Sequence, residues 1–311
     1  MSDATARRPR LRLMTVHAHP DDETISTGGV YLRCADAGIP TILVCCTNGE
    51  EGEIVDPELN NDDVRARLGE VRRQELACAA AILRVSTVEY LGYRDSGMAR
   101  TSSNEHLESF HQAPLREAAE KLVRLVRRYR PHVVISYDPN GSYGHPDHVK
   151  AHQITREAFA RAADPSFAPT PNLLPWQPVK LYETTVPREA MIRWRDRWRE
   201  EQAKKAEEAK LAGQPPEEAR DGQESENGEW FDLEKYSTPL ERITTRIDVA
   251  EFLATRREAL RCHRTQIAAD SDFFRESDDA DADFWRHENF NRRQTLVRAP
   301  EKEQDLFAGL R

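Results

Sequence analysis

The chain has 311 residues, 38% hydrophobic and 32% charged, with a formal net charge of −9, which allows one large domain or two small ones and an ample core. A pI of about 5.7 argues against a nucleic-acid binder, which carries a basic footprint. The longest apolar runs, such as Ile42 to Cys46, fall far short of the roughly 20 residues that a membrane-spanning helix needs.

The N-terminal MSDATARRPRLRL is basic but lacks the apolar stretch of a signal peptide. Leu11–His17 then reads as a buried strand, Glu23–Gly38 as a helix and Thr41–Thr47 as a second apolar strand. Asp63–Leu83 has a helical period, Thr87–Leu91 reads as a strand, and Pro114–Tyr129 is a helix with Leu115, Ala118, Ala119, Leu122, Val123 and Val126 on one side. His132–Tyr137 is a fourth strand, His148–Ala163 a helix and Val179–Val186 a fifth strand. Short apolar strands alternating with helices predict an α/β, Rossmann-like fold with a mostly parallel sheet covered on both faces.

Trp194, Arg195 and Trp198 fall on a long charged helix expected to be partial core. Residues 200–234 hold twelve acids against four bases, and 213–229 reads as a flexible insertion too polar to offset its ordering entropy. The expected organisation is an α/β core over 1–190, a charged helix and insertion over 191–240, and a smaller C-terminal portion, 241–311, that completes the same domain. Five cysteines, an odd number without C-x-x-C, predict neither a disulfide nor a thiolate-metal framework and suit a reducing cytoplasm. Nothing in the sequence specifies an oligomer.

In open α/β sheets ligands bind beyond the carboxyl ends of the strands. Strand one runs into His17-Ala18-His19-Pro20-Asp21-Asp22-Glu23, and strand four into Tyr137-Asp138-Pro139-Asn140-Gly141-Ser142-Tyr143-Gly144-His145-Pro146-Asp147-His148. Five of the ten histidines lie in or next to these segments, and His17 and His19 are expected on one face of the strand, because strand side chains repeat every two residues. Neutral imidazoles plus one carboxylate make a hydrolytic metal site with an open position, and a second carboxylate beside it serves as general base. Residue chemistry alone does not choose between Asp21 and Asp22, or between His145 and His148, as ligand. A phosphoesterase is disfavoured because the first strand-to-helix turn lacks a Gly-rich phosphate cradle.

The segments His19-Pro20-Asp21-Asp22-Glu23 and His145-Pro146-Asp147-His148 resemble the LmbE/PIG-L family of metal-dependent N-acetylglucosaminyl deacetylases. Gly49-Glu50-Glu51-Gly52-Glu53, Arg94-Asp95-Ser96-Gly97-Met98, Tyr137-Asp138-Pro139-Asn140-Gly141 and His263-x-Thr265-Gln266 make the mycothiol branch the most similar part of it. The resemblance implies that His19, Asp22 and His148 bind one Zn²⁺ per chain, with Fe²⁺ able to share the set. It implies Asp21 as the base that deprotonates water, His145 as the oxyanion or leaving-group partner with Asp147 orienting it, and Tyr143 as a polariser of the carbonyl. Arg72, Asp95 and Glu53 match sugar-contacting positions.

The implied reaction is hydrolysis of a non-peptide amide in a small amino-sugar conjugate such as GlcNAc-inositol. The alternative from the same branch is amide hydrolysis of a mycothiol S-conjugate. Thr24-Ile25-Ser26-Thr27-Gly28-Gly29 lacks the lysine expected of that amidase, whereas Phe273-Phe274 and the stretch from Trp285 to Phe290 look more like it. A non-catalytic carbohydrate-binding protein would have lost the base or a ligand, and none is lost. Glu23 at a helix start and His263 in a late helix have both structural and site-lining readings.

Overall fold

The computed structural model describes residues 10–211, 232–274 and 284–311. In chain order these form β1 (Leu13–His17), α1 (Asp22–Asp36), β2 (Thr41–Thr47), α2 (Asp62–Ala66), α3 (Leu68–Ile82) and β3 (Thr87–Tyr93). There follow α4 (Leu115–Tyr129), β4 (Val133–Ser136), α5 (Gly141–Gly144), α6 (Pro146–Arg161), β5 (Lys180–Thr184) and α7 (Arg188–Leu211). The chain closes with α8 (Leu233–Tyr236), β6 (Thr245–Asp248), α9 (Leu253–Leu260) and β7 (His287–Thr295).

The seven strands make one sheet in the order β3-β2-β1-β4-β5-β7-β6. The first five are mutually parallel, and β7 runs antiparallel to both β5 and β6. Strand side chains alternate between faces, so β1 feeds two cores. Met14 and Val16 pack with Ala119, Leu122, Val126, Ile154 and Ala158 of α4 and α6. Leu13 packs on the other face with Val30, Leu76 and Ala79 of α1 and α3. The chain leaves β1 toward β2 on one side and β4 toward β5 on the other. The carboxyl ends of β1 and β4 therefore flank a topological switch point, where a crevice opens.

Three expectations change. The helix over 63–83 is two helices, broken at Arg67 (φ −125, ψ 27), whose carbonyl then accepts the N–H groups of Glu70 and Val71 and restarts the helix. Strand β1 ends at His17, so His19 lies in the turn beyond it, while His17 is buried against Thr27 at 3.0 Å. The cysteines do form a disulfide: Cys78 on α3 is bonded to Cys262, just after α9, across 184 residues. Such a pair leaves no local spacing to read, and the cysteine count no longer argues for a reducing compartment.

Trp194 of α7 packs edge-on to Phe284 at 4.4 Å, and no helix among the described residues is long and apolar enough to cross a membrane. The insertion expected at 213–229 lies outside the described residues.

Candidate metal centre and base

Both strand ends turn sharply into helices. After β4, Gly141 (φ +62) folds the loop over α6, where a Cβ would come within 2.8 Å of His148 Cβ. His145 is the N-cap of α6, and its Nδ1 accepts the Asp147 N–H at 3.2 Å, with Pro146 at the first helical position. An acceptor Nδ1 leaves the proton of the neutral ring on Nε2. Burial, then the neighbouring His19 and His148, hold the His145 pKa well below the ordinary value, so the ring is neutral.

His19, Asp22 and His148 meet in this crevice. His19 Nδ1 lies 3.2 Å from His148 Nε2 and 3.4 Å from Asp22 Oδ2, and His148 Nε2 lies 3.4 Å from Asp22 Oδ1. Ligand atoms about 2.05 Å from a tetrahedral ion are about 3.3 Å apart, so two imidazole nitrogens and a carboxylate that turns one oxygen to each of them suit a divalent cation in type and spacing. His145 is also within reach, since it forms a candidate ligand cluster with His19 and His148.

The candidate ligands are held from behind. Tyr137 Oη donates to Asp22 Oδ2 at 2.7 Å and accepts the Ala18 N–H at 2.8 Å. His19 Nε2 faces Asp147 Oδ2 at 3.3 Å and Asp95 Oδ1 at 3.5 Å. Carboxylates behind a ligating imidazole orient it and raise its basicity. Burial opposes a charged His19, but Asp95, Asp147 and Asp22 outweigh it and raise its pKa. Asp22 is buried too, yet His148 and His19 hold it well below the ordinary carboxylate range.

Asp147 does not orient His145 through its carboxylate. That group bonds His19, the Ser96 N–H at 2.9 Å and the Ser96 hydroxyl, and only its backbone N–H reaches His145.

Asp21 sits beside the triad with its backbone at φ 130. Burial raises its pKa to about 6, with Asp22 adding to the rise and Arg72 opposing it. That value suits a base working near neutrality. Arg72 is buried and donates to Gly49 O at 2.9 Å, Pro20 O at 2.8 Å and Asp21 Oδ2 at 3.1 Å. Gly49 (φ +73) is required there, because a Cβ would lie 2.2 Å from Arg72 Nη1. Asp95 is also buried, accepting the Gly97 N–H at 2.9 Å. Of the three expected sugar contacts only Glu53 is exposed. Tyr143 is 41% exposed, with its ring 4.9 Å from that of His148.

Sequence reasoning assigned no role to Tyr137 or Ser96, and the pairing of Glu23 with His263 was not visible to it. Tyr137 carried two signals, its place as the first residue beyond β4 and its place at the head of the Tyr137–Gly141 motif. Ser96 and His263 reach the site only through long-range contacts.

A Rossmann-like sheet with a His–Asp–His donor set and an adjacent carboxylate defines a class of metal-assisted hydrolases. The sequence profile of the PIG-L family, GlcNAc-PI de-N-acetylases, matches residues 14–159. A 1D-myo-inositol 2-acetamido-2-deoxy-alpha-D-glucopyranoside deacetylase 2 of Frankia casuarinae is 39% identical, covering 99% of this chain and 96% of that protein. A 1D-myo-inositol 2-acetamido-2-deoxy-alpha-D-glucopyranoside deacetylase of Thermobifida fusca is 40% identical over 96% of this chain and 99% of that protein. The chain belongs to the PIG-L/LmbE family of deacetylases. Among solved structures, N,N'-diacetylchitobiose deacetylase from Pyrococcus horikoshii shares the fold, with a TM-score of 0.55 at 22% identity over 83% of this chain and 72% of that one.

Proposed function

We propose that the protein hydrolyses the acetamide of an N-acetylglucosaminyl conjugate, GlcNAc-inositol, with Zn²⁺ held by His19, Asp22 and His148. The observation that carries this reading is the convergence of His19 Nδ1, His148 Nε2 and the Asp22 carboxylate at 3.2–3.4 Å, next to a second carboxylate, Asp21, that Arg72 holds at 3.1 Å. Relatives 39–42% identical and named for that substrate support it. The thiol-conjugate alternative is not favoured by them.

When bound, the cation supplies Lewis acidity, polarising the amide carbonyl and acidifying water. Asp21 takes the proton of the attacking water. His145 donates from Nε2 to the oxygen on which negative charge develops, and the Tyr143 hydroxyl approaches it from the open side. An amide anion is a poor leaving group, so the nitrogen must be protonated before the bond breaks. Asp21 then holds the proton and returns it. Asp147, Asp95 and Tyr137 keep His19 and Asp22 in place. Arg72 orients Asp21, and Glu53, on the exposed rim, is the group assigned to the sugar conjugate.

The test is release of free amine from GlcNAc-inositol by metal-replete protein. Asp21→Ala is expected to keep its metal and lose about 10²–10⁴-fold in kcat. Asp22→Ala is expected to lose the metal itself. No amine from wild-type protein shown to hold one metal per chain would overturn the substrate.

A further inference from the structure

Asp21 occupies a backbone region that residues with a Cβ rarely adopt (φ 130, ψ −34). Such strain persists only where the surroundings over-determine it. One clamp is Arg72, on Pro20 O and Asp21 Oδ2. A second reaches in from the C-terminal part of the chain, outside residues 14–159 matched by the family profile.

The Asp21 N–H donates to Glu23 Oε2 at 2.9 Å. Glu23 is fully buried, and its Oε1 meets the Thr24 hydroxyl and His263 Nε2, the latter at 3.0 Å. His263 is itself 1% exposed. Arg256 of α9 grips the same helical turn, donating from Nε to Thr24 O at 3.0 Å and from Nη2 to Ile25 O.

We propose that His263 and Glu23 are a positioning pair for Asp21. His263 fixes the Glu23 carboxylate, which fixes the strained Asp21 backbone, which aims the Asp21 side chain into the site. The proposal rests on the reading of Asp21 as general base. Without the His263 bond, Glu23 is free to turn toward Thr24 alone and the Asp21 N–H loses its acceptor. The residue then relaxes and its carboxylate swings away from the attacking water. Thr265 provides the contrast. It donates from N and Oγ1 to Glu75 at 2.8 and 2.6 Å, fastening the same segment to α3 with no link to Asp21.

The experiment compares wild type, His263→Ala, His263→Gln and Thr265→Ala, with the first two also made in the Asp21→Ala background. Bound metal, Tm, kcat and KM are measured for each with GlcNAc-inositol. His263→Ala should keep its metal and KM and lose about 10–100-fold in kcat. His263→Gln, whose amide nitrogen donates near where Nε2 does, should recover most of it. Thr265→Ala should lower Tm and leave kcat alone. In the Asp21→Ala background the His263 change should cost less than about twofold more, because both act through one carboxylate.

A kcat within about twofold of wild type, loss of metal, or a His263 effect undiminished in that background would overturn the pair. If His263→Ala does not fold, His263→Met fills the space without a donor and takes its place. If wild type releases no amine, the substrate reading fails by itself. The pair is then judged from a crystal structure of the His263 variant, where an Asp21 φ still near 130 overturns it and a relaxed one supports it.

Discussion

Two clusters of buried charge lie in the same sheet and are built oppositely. On the β5–β7–β6 side, Glu303 receives Lys180 Nζ at 2.6 Å, Tyr182 Oη at 2.7 Å, Arg292 Nη1 at 3.0 Å and Thr245 Oγ1 at 3.1 Å. Every donor is aimed at one carboxylate, and the network is complete within the protein. At the carboxyl ends of β1 and β4 the balance is reversed. His19 is surrounded by Asp22, Asp95 and Asp147, and its Nδ1 and the His148 Nε2 converge with the two Asp22 oxygens. Lone pairs in excess, converging on one point, suit a cation. Buried charge is therefore not by itself a sign of function; the sign is which partner the cluster is short of.

Lys180→Met breaks the complete cluster. Removing one partner of a buried ion pair costs about 3–5 kcal/mol of stability. A denaturant titration should show that loss, with kcat unchanged in the protein that remains folded. A fall in kcat larger than the folded fraction explains would mean that the two clusters are coupled.

Asp147→Asn acts on the other cluster and should cost less. The amide removes the charge behind His19 and leaves the fold, so metal affinity or kcat should drop about 10–100-fold. Metal titration and turnover together decide it, and an unchanged affinity and rate would remove Asp147 from the site.

The smallest effect belongs to Glu183, on β5, the strand that also carries Lys180 and Tyr182. Burial raises its pKa to about 7, Asp138 adds to the rise, and Arg293 and Arg156 oppose it. His152 Nδ1 lies 3.6 Å from Oε1, which has no hydrogen-bond partner. An acid with a raised folded pKa favours the folded state while protonated. Its contribution is full below the ordinary value of 4.5 and is lost as pH rises through about 7. Glu183→Gln should therefore gain stability relative to wild type across that window. A stability difference that does not change with pH there would show that Glu183 is already ionised.

The readable parts of the site were local. The turn from His19 to Glu23 and the loop from Tyr137 to His148 each place chemistry at the end of an apolar strand, and the pattern survives in one short window. The split at Arg67 was less readable, because both halves keep the same helical period. Arg72 and Asp95 were matched to sugar contacts, yet the structure buries both against Asp21 and His19. A sequence window does not contain the carbonyls and rings that meet a side chain across the fold.

By itself, the sequence determined the alternating strand–helix order, and with it the parallel sheet, because hydrophobic periodicity is a local property. It also determined the donor types at two strand ends, because a proline turn after a buried strand keeps its neighbours together. Only the tertiary structure decided what supports them. Glu23 and His263 are 240 residues apart and Cys78 and Cys262 are 184 apart. Packing α9 against α1 and α3 brings both pairs together, and no spacing rule spans that distance. The strained backbone of Asp21 belongs to the same category, since it persists only when contacts from several elements hold it at once.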